Sequence, residues 1–255
     1  MRAISLQSGS NGNCVFLECG ETRLLFDAGI SGLSAQTRLA VHGIDIRTVD
    51  AVLISHDHSD HVSCAGVLHR KFGLGLWMTE KTHAVIARYK KLGRVGPIQH
   101  IPVGGSFRIK NVTVETLPTP HDAADGVCFA VDDGTRRFGV CTDLGHVFSG
   151  LPDFIASLDG VLLESNFDPY MLENGPYPED LIARVSGKHG HISNFEAAEL
   201  LKKHGKRLKQ TLLGHISAEN NNEPLVEKTH REILGKRFSF CIASRYGASE
   251  MVEIK

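Results

Sequence analysis

The sequence has little cysteine and lacks the cysteine spacing of a structural zinc site. Its six cysteines stand apart, and no two are separated by only two residues. This excludes a C-x-x-C zinc ribbon and gives no sign of a disulfide framework. We therefore expect most of these cysteines to be buried thiols that act as small apolar groups.

Long apolar runs and a strong charge of one sign are also missing. No stretch is long enough for a secretory leader or a membrane span, so we expect a cytoplasmic protein that does not associate with membranes. Lys and Arg number 28 against 29 Asp and Glu, and the formal net charge is -1. A protein that coats nucleic acid is strongly basic, so any contact with nucleic acid must be local.

Histidine, in contrast, is abundant. The chain has 14 histidines among 255 residues, and imidazole is the commonest metal ligand and the usual proton-transfer group near neutral pH. A hydrophobic content of 42% and a charged content of 22% are typical of a globular protein. We expect one domain that covers residues 1–255 and carries metal or proton-transfer chemistry.

Short apolar runs bounded by Gly, Asn and Asp predict strands, and they alternate with helical patterns. The predicted strands cover residues 3–6, 14–18, 23–26, 51–54, 74–78, 112–117, 126–131, 136–141, 160–163 and 208–213. The predicted helices cover residues 34–42, 62–72 and 81–92, and three more follow Pro178, Ser193 and Pro224. Two strand-rich halves, each closed by helices, indicate sheets packed face to face. The predicted fold is α/β (α+β), a four-layer αββα sandwich.

The densest motif is His56-Asp57-His58-Ser59-Asp60-His61, directly after the apolar run 51–54. Side chains two apart in an extended segment project to the same side, so His56 and His58 can share one metal ion. The turn that follows directs Asp60 and His61 toward a second ion. A polar surface loop is the alternative interpretation, but three histidines in six residues rarely occur without a metal.

Three later residues follow predicted strands and are further ligand candidates: His121, Asp143 and His215. Loops at the ends of strands are where a rigid scaffold places functional groups. Taken singly, a His or Asp at such a position is more often a turn residue or a cap. The order of all four segments favours a shared site.

With these segments in this order, the sequence resembles the metallo-β-lactamase superfamily, whose H-x-H-x-D-H loop is followed by a His, a bridging Asp and a final His at successive strand ends. Within that superfamily it resembles the YycJ/WalJ-type group, bacterial proteins regarded as DNA exonucleases. Residues 8–13, 164–168, 174–178 and 214–222 carry this second likeness. Phe167 departs from the group, where a His is expected at this position.

The resemblance implies a centre of two divalent metal ions, Zn2+ or Mn2+, and both suit imidazole and carboxylate ligands. It assigns the ligands by position: His56, His58 and His121 to the first ion, Asp60, His61 and His215 to the second, and Asp143 between them. The implied activity is that of a phosphodiesterase acting as a DNA exonuclease, 5' to 3', through a metal-bridging hydroxide. DNA is expected rather than RNA, and Asp60 and Asp143 are the expected catalytic carboxylates.

Candidate substrate residues lie in two polar loops and beside one histidine. The turn 8–13, with Ser10 and Asn11, is either an anion-binding nest or a simple hairpin turn. Asn221 could hold a nucleotide, although Asn before Glu-Pro also suits a helix start. His191 could protonate a leaving group or bind a phosphate, whereas the capping-box spacing of the following Ser193 and Glu196 indicates a helix start.

Two other classes of function remain open. One is a hydrolase with the same site that acts on a small cyclic phosphodiester, a lactone or a thioester. The other is a mononuclear iron oxidoreductase or a metal-stabilised binding protein, and the complete set of seven ligand candidates disfavours both. His146, close after Asp143, is expected to support the site from outside the ligand set.

Overall fold

The computed structural model describes residues 1–89 and 92–255. Its strands are β1 (Arg2–Gln7), β2 (Cys14–Cys19), β3 (Thr22–Phe26), β4 (Ala51–Leu53), β5 (Gly75–Met78), β6 (Gln99–His100), β7 (Ser106–Ile109), β8 (Val112–Pro118), β9 (Val127–Asp132), β10 (Arg137–Cys141), β11 (Gly160–Glu164), β12 (Gln210–Gly214), β13 (Cys241–Ile242) and β14 (Val252–Glu253). Its helices are α1 (Gly32–Val41), α2 (Ser59–Val62), α3 (Ala65–Phe72), α4 (Glu80–Tyr89), α5 (Leu151–Ala156), α6 (Pro169–Asn174), α7 (Glu179–Ser186), α8 (Asn194–His204) and α9 (Glu223–Leu234). Among the described residues, none of the helices has the length and apolar character that crossing a bilayer requires.

The described strands form two sheets of seven. One has the order β14-β1-β2-β3-β4-β5-β6, and the other has the order β13-β12-β11-β10-β9-β8-β7. In the first sheet β1, β2 and β3 are antiparallel and β3 to β6 are parallel. In the second sheet β7 to β10 are antiparallel and β10 to β13 are parallel. Parallel strands gather their carboxyl ends at one edge, where the loops can share a site.

Alternation along the strands produces four layers. Phe26 of β3 points between the sheets, where its ring centroid lies 5.3 Å from that of Phe129 of β9. Its neighbour Leu25 points outward into a second cluster with α1, α3 and α4. The outer face of the second sheet packs in the same way on α5, α8 and α9, in a cluster that includes Leu163 and Leu201. The predicted αββα sandwich is confirmed.

The structure differs from the predicted elements at several boundaries. The helix predicted over residues 62–72 is two helices, α2 and α3, because the amide of Cys64 donates to the carbonyl of Ala28 at 2.8 Å instead of continuing the first helix. Of the helix predicted over residues 81–92, residues 90 and 91 lie outside the described residues. The strand predicted from Leu208 begins at Gln210, since residues 205–207 form a 3-10 turn.

Candidate metal centre

Three site residues follow strand ends in a backbone conformation that residues other than glycine seldom adopt. Asp27 follows β3, Asp143 lies just beyond β10 and His215 follows β12, with φ of 63°, 56° and 52°. Such backbone costs about 1–3 kcal/mol per residue and persists where the surrounding structure holds it, often at a functional site. The sharp turns place all three residues where the strands end.

The His56 loop is held against two other segments by backbone contacts. The amide of Asn13 donates to the carbonyl of Asp60 at 2.7 Å, and the amide of Ala28 donates to the carbonyl of His61 at 2.6 Å. This close approach requires glycine at position 29, since a Cβ there would lie 1.7 Å from the carbonyl oxygen of Asp60. Because α2 begins at Ser59, Asp60 and His61 stand on its first turn.

The ligand candidates converge as two groups of three. The nitrogens of His56, His58 and His121 lie within 4.8 Å of one another, as do the ligand atoms of Asp60, His61 and His215. In the first group Nδ1 of His58 lies 3.2 Å from Nε2 of His121. In the second, Nε2 of His61 lies 3.4 Å from Nε2 of His215 and 3.4 Å from Oδ2 of Asp60. His56 also groups with His61 and Asp143, and Asp143 also groups with Glu164, His191 and His215, so the division of the ligands between two ions stays a prediction.

Asp143 lies between the two groups, with one carboxylate oxygen toward each. Its Oδ1 is 3.4 Å from Nε2 of His121. Its Oδ2 is 3.0 Å from Nε2 of His61 and 3.2 Å from Nε2 of His215. The carboxylate is buried, so its charge needs a positive partner inside the site.

The ligand imidazoles are oriented by contacts on their outward nitrogens. Three of them donate an N–H to a protein oxygen: His61 Nδ1 to Asp27 Oδ2 (2.8 Å), His121 Nδ1 to the carbonyl of Gly190 (2.8 Å) and His58 Nε2 to the carbonyl of Asp122 (3.1 Å). Such outer partners fix the tautomer and leave the inward nitrogen free to bind a metal. For His215, Nδ1 lies 3.1 Å from the side-chain amide nitrogen of Asn166.

Two buried atoms at the centre have no hydrogen-bond partner among the described residues. They are Nε2 of His56 and Oδ2 of Asp143. A buried polar atom without a partner is costly, and native structures rarely contain one without a reason. Inward nitrogens that face each other and an unsatisfied carboxylate oxygen fit divalent metal ions, because both atom types are ligands for such ions.

The electrostatics of the cluster also fit bound cations. Burial alone would raise the pKa of Asp143, but His215 and His61 lower it well below its usual range. Burial alone would lower the pKa of His215, but Asp143 raises it to about 10. The pKa of His56 stays well below its usual value, first because of burial and then because of His61. The carboxylates therefore remain ionised and require positive charge, which metal ions supply when they displace protons.

Glu164 is a site residue that the sequence reasoning did not assign a role. It ends β11, is fully buried, and accepts from the amide of Leu144 at 3.0 Å. Its Oε1 lies 2.6 Å from Nδ1 of His191. This contact orients the ring of His191. A charged residue at the end of an apolar run is the signal that could have identified Glu164.

The structure places His191 in the cluster and also confirms the helix start beside it. The His191 ring centroid lies 5.1 Å from that of His121 and 5.3 Å from that of His215. Ser193 and Glu196 form the predicted capping box of α8. The two interpretations of this segment are compatible, because the cap anchors the helix while His191 points back toward the ligands.

The turn 8–13 supports the metal centre through residues other than the predicted Ser10 and Asn11. Ser8 Oγ accepts from the amide of His215 at 2.8 Å, and Nδ2 of Asn13 lies 3.0 Å from Nε2 of His61 and 3.3 Å from Oδ2 of Asp60. Ser10 and Asn11 are exposed. The turn joins antiparallel β1 and β2, and four of its amides already have acceptors inside the protein: those of residues 8, 9, 12 and 13. This favours the hairpin over the anion-binding nest.

Asn221 is buried and bound to other parts of the protein. Its Nδ2 donates to the carbonyls of Ser165 and Asn166, each at 3.0 Å. This geometry favours a structural role, and a direct substrate contact stays a prediction. The helix start predicted here exists, since Asn222 caps α9.

His146 and Phe167 are two further positions that the sequence singles out. His146 donates from Nδ1 to the carbonyl of Lys188 at 2.9 Å, so it supports the segment before His191 and does not contact a ligand through this bond. Phe167 is 5% exposed, and its carbonyl accepts from the amide of Asn194 at 2.9 Å. The departure from the YycJ/WalJ-type pattern therefore places a buried apolar ring where an imidazole was expected.

An αββα sandwich with a buried His and Asp cluster at its loop edge defines a class of proteins that hold divalent metal ions. The family model described as the beta-lactamase superfamily domain matches residues 22–216, well over half of the chain. The chain belongs to the beta-lactamase superfamily.

Two exodeoxyribonucleases are similar to this chain over most of their own length. The exodeoxyribonuclease WalJ of Streptococcus pneumoniae serotype 2 is 36% identical over 227 residues, which cover 88% of this chain and 84% of WalJ. The exodeoxyribonuclease YycJ of Bacillus anthracis is 30% identical over 252 residues, which cover 98% of this chain and 92% of YycJ. This family relationship agrees with the one expected from the motifs.

Solved structures share the fold at lower sequence identity. The metallo-beta-lactamase fold protein YhfI of Bacillus subtilis superposes with a TM-score of 0.72 at 17% identity, covering 98% of this chain and 100% of YhfI. Zn(2+)-bound PqqB of Methylobacterium extorquens superposes with a TM-score of 0.71 at 18% identity, with the same coverage. At this identity the likeness concerns the fold alone.

Proposed function

We propose that this chain is a metal-dependent hydrolase that degrades DNA as an exonuclease. The observation that carries the proposal is the seven-residue cluster in a chain that matches two exodeoxyribonucleases over most of their length. The cluster supports the hydrolytic chemistry, and the relatives support DNA as the substrate. The 5' to 3' direction and a cytoplasmic location stay predictions.

We assign two metal ions to the centre. His56, His58 and His121 would hold one, Asp60, His61 and His215 would hold the other, and Asp143 would bind both. The support is the placement of Asp143, whose Oδ1 faces His121 and whose Oδ2 faces His61 and His215. Imidazole and carboxylate donors suit both zinc and manganese, and the choice between these two proposed ions stays open.

When bound, the ions would activate water and polarise a phosphodiester. The chain's own residues orient the reaction. Asp60 is partly exposed and held by Nδ2 of Asn13 at 3.3 Å, so it can hydrogen-bond and orient the attacking water. On the other side, Glu164 holds His191 through Nδ1 at 2.6 Å. When His191 is an imidazolium, Nδ1–H stays with Glu164 and Nε2 carries a second proton, which it can give to the departing oxygen as a general acid does.

We further propose that residues 1–255 act as one catalytic domain. The last strand, β14, pairs with β1 in the first sheet, and β13 pairs with β12 in the second. The C-terminal segment therefore completes both sheets. Loss of this segment would leave β1 and β12 as the edge strands of the two sheets.

The test is degradation of 5'-labelled and 3'-labelled single-stranded and double-stranded DNA, and of RNA of the same sequence, with manganese or zinc. The wild-type protein is compared with Asp143→Ala, which removes the residue between the two groups. His42→Ala, which changes a histidine outside the cluster at the end of α1, serves as the matched control. We expect stepwise loss of DNA by wild type and His42→Ala only.

Two results would contradict the proposal. Degradation that persists in Asp143→Ala would show that the activity comes from a contaminant. Alternatively, the wild type could leave every polymer intact while it hydrolyses a small cyclic phosphodiester, a lactone or a thioester. That result would keep the centre and move the substrate to this other class.

A further inference from the structure

The segment that follows β13 lies against the candidate metal centre. β13 pairs in parallel with β12, so both strands end at the edge that carries His215. Beyond β13, the amide of Ser8 donates to the carbonyl of Ser244 at 3.0 Å. The side-chain amide of Asn11 donates to the carbonyl of Arg245 at 2.9 Å. The segment thus packs on the same turn whose Ser8 holds His215.

A cavity of about 190 Å³ opens between this segment and the loop after His215. Its walls include Ile216, Ser217, Ala218, Asn221, Arg245 and Tyr246. Ile216 directly follows the ligand candidate His215 in the chain, so the cavity and the centre share this loop. Pockets for drug-sized ligands are roughly 300–1,000 Å³, so this cavity suits one small unit of a longer substrate.

Two guanidinium groups at this place lack a carboxylate partner. Among residues 1–89 and 92–255, no carboxylate oxygen lies within 4.0 Å of the side-chain nitrogens of Arg245 or Arg38. Arg245 donates to the carbonyl of Ile216, and its Nε is buried without an acceptor in the described part of the chain. Arg38 donates to the carbonyls of Leu6 and Tyr246 at 3.0 and 2.8 Å. Because the whole chain is nearly neutral, this local positive charge is suited to an anion.

Tyr246 presents an aromatic ring beside these charges. The residue is 76% exposed, yet its backbone is held on both sides. Its amide donates to Oγ of Ser244 at 3.1 Å, and its carbonyl accepts from Arg38 at 2.8 Å. An exposed ring on a fixed backbone, with the guanidinium of Arg245 at 5.9 Å from its centroid, is typical of surfaces that stack bases of single-stranded nucleic acid.

We propose that this cavity binds one nucleotide of the DNA strand next to the bond that is cleaved, with its base on Tyr246 and its phosphate at Arg245. The proposal rests on the proposed function and names the substrate contact of the same site. The base is assigned to the ring and the phosphate to the guanidinium, because bases stack on aromatic rings and guanidinium groups bind phosphates. Arg245 and Tyr246 lie outside the residues 22–216 that match the superfamily model.

The first experiment compares Tyr246→Ala, Tyr246→Phe and wild type on two oligodeoxynucleotides. One is intact, and the other has an abasic tetrahydrofuran unit at one of the three nucleotides nearest the degraded end. Tyr89→Ala, which removes another exposed ring from α4, is the matched control. Base stacking of this kind changes affinity roughly tenfold. Wild type, Tyr246→Phe and Tyr89→Ala should therefore bind the abasic DNA roughly tenfold more weakly than the intact DNA. Tyr246→Ala lacks the ring and should bind both DNAs equally weakly.

The second experiment measures the salt dependence of KM for Arg245→Met. Loss of one phosphate contact to a single strand should reduce the slope of log KM against log salt concentration by about 0.7. A wild-type slope in this variant would overturn the phosphate assignment. Equal KM values for wild type and Tyr246→Ala on intact DNA would overturn the base assignment.

The failure of this proposal can be told apart from failure of the exonuclease. DNA binding is measured by fluorescence anisotropy in Asp143→Ala, with and without Tyr246→Ala. If DNA is degraded but Tyr246→Ala changes neither binding nor KM, only the nucleotide contact is wrong. If Tyr246 governs binding of DNA that the wild type never degrades, the contact stands and the exonuclease is wrong. Absence of any DNA binding would contradict both.

Discussion

Nδ1 of His61 lies 2.8 Å from Oδ2 of Asp27, and both side chains are buried. The same carboxylate accepts from the amide and the hydroxyl of Ser55, at 2.8 and 2.9 Å. Asp27 therefore holds the ring of His61 from one side while Nε2 faces Asp143 at 3.0 Å on the other. The orientation of this metal ligand candidate depends on a residue 34 positions earlier in the chain.

Asp27→Asn should weaken metal binding while the fold is retained. The substitution keeps the size of the side chain but removes the negative charge that fixes the tautomer of His61. Loss of such a partner typically lowers metal affinity by about 10–100-fold. Competition with a chromophoric chelator measures the metal affinity. Asp45→Asn, at the exposed cap of a 3-10 turn, is the control. Unchanged affinity in Asp27→Asn would show that Asp27 does not orient the ligand.

The loss of kcat in His191→Ala should depend on how much the leaving group of the substrate needs a proton. On DNA, where an alkoxide departs, we expect kcat to fall roughly a hundredfold or more. On bis(p-nitrophenyl) phosphate the leaving group departs without protonation, so kcat should change little. His146→Ala, which alters a neighbouring histidine bonded to Lys188, controls for disturbance of the loop. Equal losses on both substrates would contradict the proton-donor role.

Removal of the metal ions should lower the melting temperature. Each ion that binds the folded chain at about 100 times its Kd stabilises it by about 2.7 kcal/mol. For a chain of this size each kcal/mol corresponds to about 2–4 °C, so a chelator should lower Tm by roughly 5–10 °C for each ion that it removes. Differential scanning calorimetry with and without EDTA, followed by addition of manganese or zinc, measures the effect. The same Tm in both states would indicate that no ion binds the cluster.

Acid should destabilise the protein through His230, which lies outside the metal centre. Burial lowers the pKa of His230 from 6.5 to about 4, although the carbonyl of Val226 partly opposes this. Between these values the unfolded chain binds a proton that the folded chain does not. The contribution of His230 is therefore fully present above pH 6.5 and is lost as the pH falls toward 4.

The effect of His230 is measured by urea unfolding of wild type and His230→Leu at pH 7.5 and pH 5. From pH 6.5 to pH 5 this one group should cost the wild type about 2 kcal/mol. The variant lacks the titrating ring, so its free energy of unfolding should fall by about 2 kcal/mol less than that of the wild type. If both proteins lose the same stability between these pH values, His230 is not neutral in the folded state.

The sequence predicts the parts of the site that a local spacing determines. The H-x-H-x-D-H motif places His56, His58, Asp60 and His61 on one strand end and one helical turn, and the structure agrees. The four layers follow from alternation in β3 and β9, where neighbouring side chains point to opposite faces. These features depend on residues close together in the chain.

Residues that act through distant contacts were not predictable in the same way. Asp27, Glu164 and Tyr246 belong to no motif with the histidines. Glu164 is part of the site because β11 lies between β10 and β12. Tyr246 belongs to it because the short strand β13 ends beside His215. The break between α2 and α3 likewise depends on a bond from Cys64 to Ala28.

The central claim is that Asp143 joins two metal ions in a centre that degrades DNA. The direct measurement is the metal content of wild type and Asp143→Asn by inductively coupled plasma mass spectrometry, with DNA degradation followed as metal is added back to the stripped proteins. We predict two equivalents of metal in the wild type and DNA degradation that rises with the second equivalent. Asp143→Asn should bind fewer ions and leave DNA intact. Full activity with one equivalent, or equal metal content and activity in Asp143→Asn, would contradict the account.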